Sequence, residues 1–225
     1  MVSLLDLIFG VIFIAIIIVA IICADNLYDR AKLISLISEI EKNKSDIDMF
    51  VKKYNYMPGD FPFAENFFSS AKAGNGDNLV DDNYESLDAW LHMFEAKITY
   101  AEFNNFNLTY AKIYANMKNS SNILCGYQII ADSKLNNIYY DLGNKKNYLR
   151  LAVDKGFGNL TKSCLTSEQV YFLDKKLDDG LPVKGKLLAD DGYNIKGCIC
   201  KNNDKYYYCA LNNDKTCILQ YLINK

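Results

Sequence analysis

Residues 2–23 read VSLLDLIFGVIFIAIIIVAIIC, an apolar run interrupted by a single charge, Asp6. About 20 apolar residues cross a bilayer as a helix, and this run lacks the polar stripe that a surface-facing core helix carries. From Asp25 to Tyr54 there is neither Pro nor Gly. Leu27, Ala31, Ile34, Ile37, Ile40, Ile47, Phe50, Val51 and Tyr54 recur at steps of three and four, while Asp29, Arg30, Lys32, Glu39, Lys42, Lys44 and Asp48 fill the other positions. That spacing predicts an amphipathic helix continuous with the apolar run. The joined helix would extend about 75 Å at 1.5 Å per residue. Its outer half is expected to lay its stripe on a globular head, and its inner half to need lipid or copies of itself. The expected division is 1–24 (membrane or filament core), 25–57 (amphipathic half) and 58–225 (head). A cleaved secretory signal is the rival reading of the run. The lack of Lys or Arg ahead of it, its length, and bulky Ile22 before Cys23 and Ala24 favour retention.

The pattern changes at Pro58-Gly59-Asp60, where fixed φ, permissive φ and a capping side chain make a turn that stops the helix. Helices are expected over 63–73 and 84–103, the second with Glu85, Leu87, Trp90, Leu91, Phe94 and Ile98 on a mixed face. Asn122–Ile130, Asn137–Leu142 and Tyr148–Val153 alternate or run apolar between Asn and Gly clusters, which predicts short strands. Thr166–Leu177 opens with Thr-Ser-Glu-Gln and reads as a capped helix. Gly197–Cys200, Lys205–Leu211 and Thr216–Ile223 are strand-like, with Asn-Asn-Asp turns between. The fold class is therefore α+β, one long N-terminal helix packed on a small antiparallel sheet.

Composition adds limits. The net charge of the 225-residue chain is -2, so no basic face is implied and nucleic acid is not expected as a partner. Six of the seven cysteines lie in the head: Cys125, Cys164, Cys198, Cys200, Cys209 and Cys217. An even number beyond a membrane helix suggests up to three disulfides and an oxidising compartment. Cys198 and Cys200, two apart on a strand, share a face and are expected to pair elsewhere. A thiolate metal site from the last four lacks the C-x2-C spacing of a zinc knuckle.

Candidate chemistry is sparse. His92 is the only histidine, so no Ser-His-Asp, Cys-His or two-His metal arrangement can be built on one chain without it; it is expected to pack near Trp90. No catalytic residues and no organic cofactor are expected. Asp81/Asp82, Asp178/Asp179 and Asp190/Asp191 read as solvated turns. Two acidic loops offer oxygen ligands for calcium: Asn75, Asp77, Asp81 and Asp82 around Gly76, and Asp174, Asp178 and Asp179. Neither follows the EF-hand ladder. Asp6 is the most informative charge. A carboxylate costs roughly 2.5–3.5 kcal/mol at mid-membrane, and less beside a helix N-terminus. It reads either as a tolerated interfacial charge or as a carboxylate awaiting a cation from a neighbouring subunit.

Val2-Ser3-Leu4-Leu5-Asp6-Leu7 resembles the start of a mature type IV pilin or type II secretion pseudopilin. Tyr54-Asn55-Tyr56-Met57-Pro58-Gly59-Asp60-Phe61-Pro62 is similar to the YN-x-x-PGD-x-P turn that ends the long helix in a subgroup of that family. Gly74-Asn75-Gly76-Asp77, followed by Glu85 to Trp90 and His92, resembles its GNGDG loop and Trp-His helix. Asp174-Lys175-Lys176-Leu177-Asp178-Asp179-Gly180-Leu181-Pro182 resembles its D-x-K-x-DDG-x-P motif. The chain departs from the family in having Asp6 for Glu and no helix-breaking Pro in the anchor. Residues 100–165 carry little of the likeness. The resemblance implies a pilin-like fold and a structural filament subunit, with a minor tip subunit or anchored adhesin as the alternative. It implies that Asp6 pairs with the N-terminal amine of the adjacent subunit. Implied partners are other copies or related pilin-like subunits, an inner-membrane assembly platform and, where a leader precedes Val2, a prepilin peptidase. The implied location is the bacterial inner membrane, single-pass with the head in the periplasm, then a filament, with methylation as an implied modification.

Overall fold

Between Leu4 and Tyr54 the chain has no Pro and only one Gly, Gly10, so little opposes a helix. The computed structural model shows a single one of 51 residues, α1 (Leu4–Tyr54). It describes residues 4–81, 83–99, 113–118, 124–131, 146–154, 160–209 and 214–223. The expected strand at Asn137–Leu142 and the carboxylate of Asp82 lie outside these.

α1 ends at Asn55, whose φ of 62° places it in the left-handed region. Its N–H closes on Val51 O at 2.8 Å. Asn is the usual second choice to Gly at such a cap. The buried stripe differs in phase from the expected one. Leu33, Leu36, Ile40, Ile47 and Phe50 are buried, whereas Leu27 and Ile34 are exposed and Ala31 is exposed too. Ile37, Val51 and Tyr54 pack at the margin of the core. The segment Leu33-Ile34-Ser35-Leu36-Ile37 offers two apolar tracks at helical spacing, and the head covers the one that continues through buried Asn43.

After the turn, α2 (Ala64–Phe67) is one turn long, shorter than the expected 63–73. The amides of Ser69 and Ser70 instead donate to the Glu95 carboxylate at 2.6 and 3.0 Å. α3 (Asn83–Glu95) also stops short of the expected 103. Lys97 takes φ 59°, and Ile98 N–H returns to Met93 O at 3.0 Å, a left-handed closure that usually falls to Gly. α3 is docked by Trp90 Nε1 donating to Tyr127 O at 3.2 Å and Ser86 Oγ to Ile129 O at 2.7 Å.

The described strands are antiparallel. β1 (Ile113–Lys118), β2 (Leu124–Ala131), β3 (Asn147–Asp154), β8 (Cys217–Leu222) and β5 (Leu187–Asp191) run side by side in that spatial order, and β4 (Leu160–Lys162) adds to β3. β6 (Ile199–Asn202) and β7 (Lys205–Tyr208) form a separate hairpin. α4 (Ser167–Leu177) begins with a full capping box between Thr166 and Gln169. Period-two alternation decides the faces. Tyr127, Ile129, Leu149, Leu151, Leu187, Ala189, Leu219 and Tyr221 form one core with the buried side of α1. Tyr127 also donates its hydroxyl to Glu39 of α1 at 3.2 Å. The architecture is α+β, a long helix on an antiparallel sheet.

β5 was expected as a solvated Asp-Asp turn, and that reading is corrected. It pairs along its whole length with β8, and Asp190 is buried. Burial raises Asp190 to about 7, with the Arg150 guanidinium pulling the other way.

Candidate functional site

The first surface that asks for a partner is the inner half of α1. Leu4–Ile21 is 18 residues long with a mean hydropathy of 3.1, long and apolar enough to cross a membrane. Every side chain in that stretch is exposed, Leu4 at 79% and Phe13 at 66%. Burying a large aliphatic or aromatic side chain is worth roughly 1.5–3 kcal/mol, so a bare column of them marks an interaction surface. Asp6 sits in the first turn of the helix and is exposed.

The second feature is the knot that ends the helix. Gly59 takes φ 93°, and a Cβ there would lie 2.2 Å from Glu85 O, so the turn presses directly on α3. The Asp60 carboxylate accepts from Gly76 N and Asn78 N, each at 2.6 Å. Glu85 accepts from Asn75 N at 3.1 Å and Asp81 N at 3.2 Å. Asn147, at the start of β3, accepts from Val80 N at 2.9 Å and donates to Asn78 O at 2.7 Å. The Pro-Gly-Asp and Gly-Asn-Gly-Asp segments are thus one interlocked unit. Burial raises Asp60 to about 6, against the pull of the two N–H donors.

His92 belongs to the same knot. Its Nδ1 accepts from Gly59 N at 3.0 Å, and its Nε2 meets Lys72 O at 2.8 Å, which fixes a neutral ring with the proton on Nε2. The ring stacks on Phe50 of α1 at 6.1 Å and 23° and lies 5.5 Å from Phe68, which follows α2. Burial lowers its pKa, with the Lys72 carbonyl and Glu95 opposing. Both nitrogens are committed to holding backbone.

The cysteines divide into pairs. Cys198 bonds Cys217 and Cys200 bonds Cys209, which staples the β6–β7 hairpin to β8 and closes it on itself. Cys198 and Cys200 each pair elsewhere, and the four thiols of the metal alternative are consumed. Cys125 and Cys164 are buried thiols, and Cys23 is exposed on α1.

Of the expected calcium ligands, Asp174, Asp178 and Asp179 do come together, with carboxylate oxygens within 4.8 Å of one another. Asp77 and Asp81 lie apart from them. Asp174 accepts from Tyr208 Oη at 2.7 Å and Gly180 N at 3.2 Å. Asp178 accepts from Lys186 N and from Leu187 N at 3.1 Å, and Asp179 from Leu181 N at 2.9 Å. Asp77 accepts from Leu79 N at 2.9 Å. The ligand type suits a hard cation, yet these oxygens already hold the turn into Pro182. Beside them a recess of about 350 Å3 opens between α4 and the hairpin, walled by Tyr171, Leu181, Tyr207 and Tyr208. The sequence reading had not singled out this recess, because its walls come from three separate segments.

No family model matches the chain, and no curated protein or solved structure matches it significantly.

Proposed function

We propose that this chain is a structural subunit of a filament of the type IV pilus or type II secretion pseudopilus kind, anchored by the inner half of α1. One observation carries the reading. A single uninterrupted helix is exposed all round from Leu4 to Ile21 and apolar there except for Asp6, then buried along one stripe from Leu33 onward. Lipid covers such a surface before assembly, and the same surface on other copies or on related subunits covers it afterwards. Asp6 lies near the end of the anchor, within reach of water, where its carboxylate accepts the N-terminal amine of an adjacent copy. The head stands in the periplasm beyond the inner membrane and later faces outward from the filament. An inner-membrane platform drives assembly, and a prepilin peptidase acts where a leader precedes Val2. The chain does no catalysis in this reading; His92 is a structural pin.

Asp6→Ala tests it. A hydrogen bond to a charged group is worth about 1.5–3 kcal/mol, so filament or secretion output should fall by about tenfold or more while the head stays folded. Undiminished assembly overturns the role of Asp6. A mature chain that begins near Asp25 overturns the retained anchor. The tyrosine-walled recess favours a second reading, a minor tip subunit or anchored adhesin; finding the protein only at filament ends and at low copy number would select it.

A further inference from the structure

We propose that Cys125 and Cys164 form a third disulfide, joining β2 to the segment between β4 and α4. The inference stands whether or not the chain builds filaments.

The two side chains are enclosed in the same core, at 0% and 1% exposure. Cys125 Sγ lies 3.9 Å from Cys164 O, which brings the thiol of one against the backbone of the other. Their surroundings are already oxidised. Cys164 N–H donates to Cys217 O at 3.1 Å, and Cys217 is bonded to Cys198. A compartment that closes Cys198–Cys217 therefore meets two further cysteines, touching one another, against the backbone of that same bond. Disulfides persist where the compartment is oxidising.

The reaction balances simply. Each thiol gives up its hydrogen, two electrons leave the pair, and the S–S bond forms. A disulfide oxidant, either a protein disulfide or oxidised glutathione, takes both electrons and both protons and becomes two thiols. Burial and the Cys125 thiol push the Cys164 thiol well above its ordinary pKa, and a thiol held in its protonated form is a poor nucleophile. The bond therefore closes during folding, before the core excludes the oxidant. It would enclose β3 and β4 in a loop spanning 39 positions. Cys23 on α1 would remain the one thiol of the chain.

The test uses the full chain, exported so that the head meets an oxidising compartment, extracted in detergent, quenched in acid, denatured and treated with a maleimide. Peptide mapping without reductant should show label on Cys23 alone and a cross-linked Cys125–Cys164 peptide. Label on Cys125 and Cys164, or either one bonded to Cys198, Cys200, Cys209 or Cys217, overturns the proposal. Cys125→Ser should expose one new labelled residue, Cys164; no gain of label there also overturns it. If that variant fails to accumulate, the wild-type map decides alone. In a second arm, oxidised glutathione is added to chain that has been reduced and refolded. The Cys125–Cys164 peptide should form about tenfold faster or more once urea opens the core; equal rates overturn the timing.

Discussion

The two halves of α1 share one backbone and differ in what covers them. From Leu4 to Ile21 every side chain is exposed, and all but Asp6 are apolar. From Leu33 to Phe50 only one track is apolar and buried, and the other carries Lys42–Asp46 and Lys44–Asp48 pairs. Helix propensity does not explain the contrast, because both halves are helical throughout. The difference lies in the partner. The outer half is satisfied within its own chain by β2, β3 and the aromatic rings around Phe50, while the inner half is satisfied only from outside. Side-chain deletions should therefore damage different things in the two halves.

The largest effect should come from a matched pair of phenylalanines. Phe50 is fully buried and Phe13 is 66% exposed. Phe50→Ala should destabilise the head by about 3–5 kcal/mol. Phe13→Ala should leave its stability within about 0.5 kcal/mol and weaken assembly instead. Thermal or urea unfolding in detergent, alongside a filament assay, checks the crossover, and equal unfolding of both variants would break the comparison.

Acid should sharpen it next, because the shifted groups lie in the head that covers the outer half. His92 is lowered from 6.5, so its contribution to stability is present above that value and is lost as pH falls. Asp190, raised to about 7, and Asp60 and Asp174, each raised to about 6, have the opposite sign. The folded state holds their protons more tightly, so their contribution is present at low pH and is lost as pH rises through those values. The urea midpoint of the head should therefore rise from about pH 7.5 to about pH 5, and Asp190→Asn should flatten the upper part of that slope. A midpoint that falls over the same range would assign the balance to His92.

Thr166→Ala removes one side of the capping box at α4 and should cost about 1 kcal/mol, read as a lower urea midpoint with unchanged assembly. Lys42→Ala breaks an exposed 2.7 Å pair with Asp46 and should cost about 0.3–0.5 kcal/mol. A larger loss would mean that the polar track of the outer half also contacts something.

Much of this was legible in the residues. The uninterrupted helix, its ending ahead of Pro58-Gly59-Asp60, the Thr166 cap and the strands β2, β3 and β8 each follow from a local signal. What escaped detection depended on the tertiary choice between local equals. Leu33 and Leu36 were passed over for Ile34 because both tracks have helical spacing. Lys97 closes α3 in a conformation that its side chain does not advertise. Asp190 read as solvated because charge alone does not reveal an Arg150 two strands away. Asp60 was seen as a cap, whereas its bonds to Gly76 and Asn78 are formed only once two separate turns meet.

Among the described side chains of α1 the first that is buried is Leu33, and those from Leu4 to Ile21 are all exposed. That leaves a free arm of about 44 Å at 1.5 Å per residue. Turning the arm by one degree in its socket displaces its tip by about 0.8 Å over that length. The packing of Leu33, Leu36 and Ile40 at the base of the arm thus sets the angle at which the apolar stretch leaves the head. A methyl-sized gap in that socket becomes an error comparable to a hydrogen-bond length at the far end.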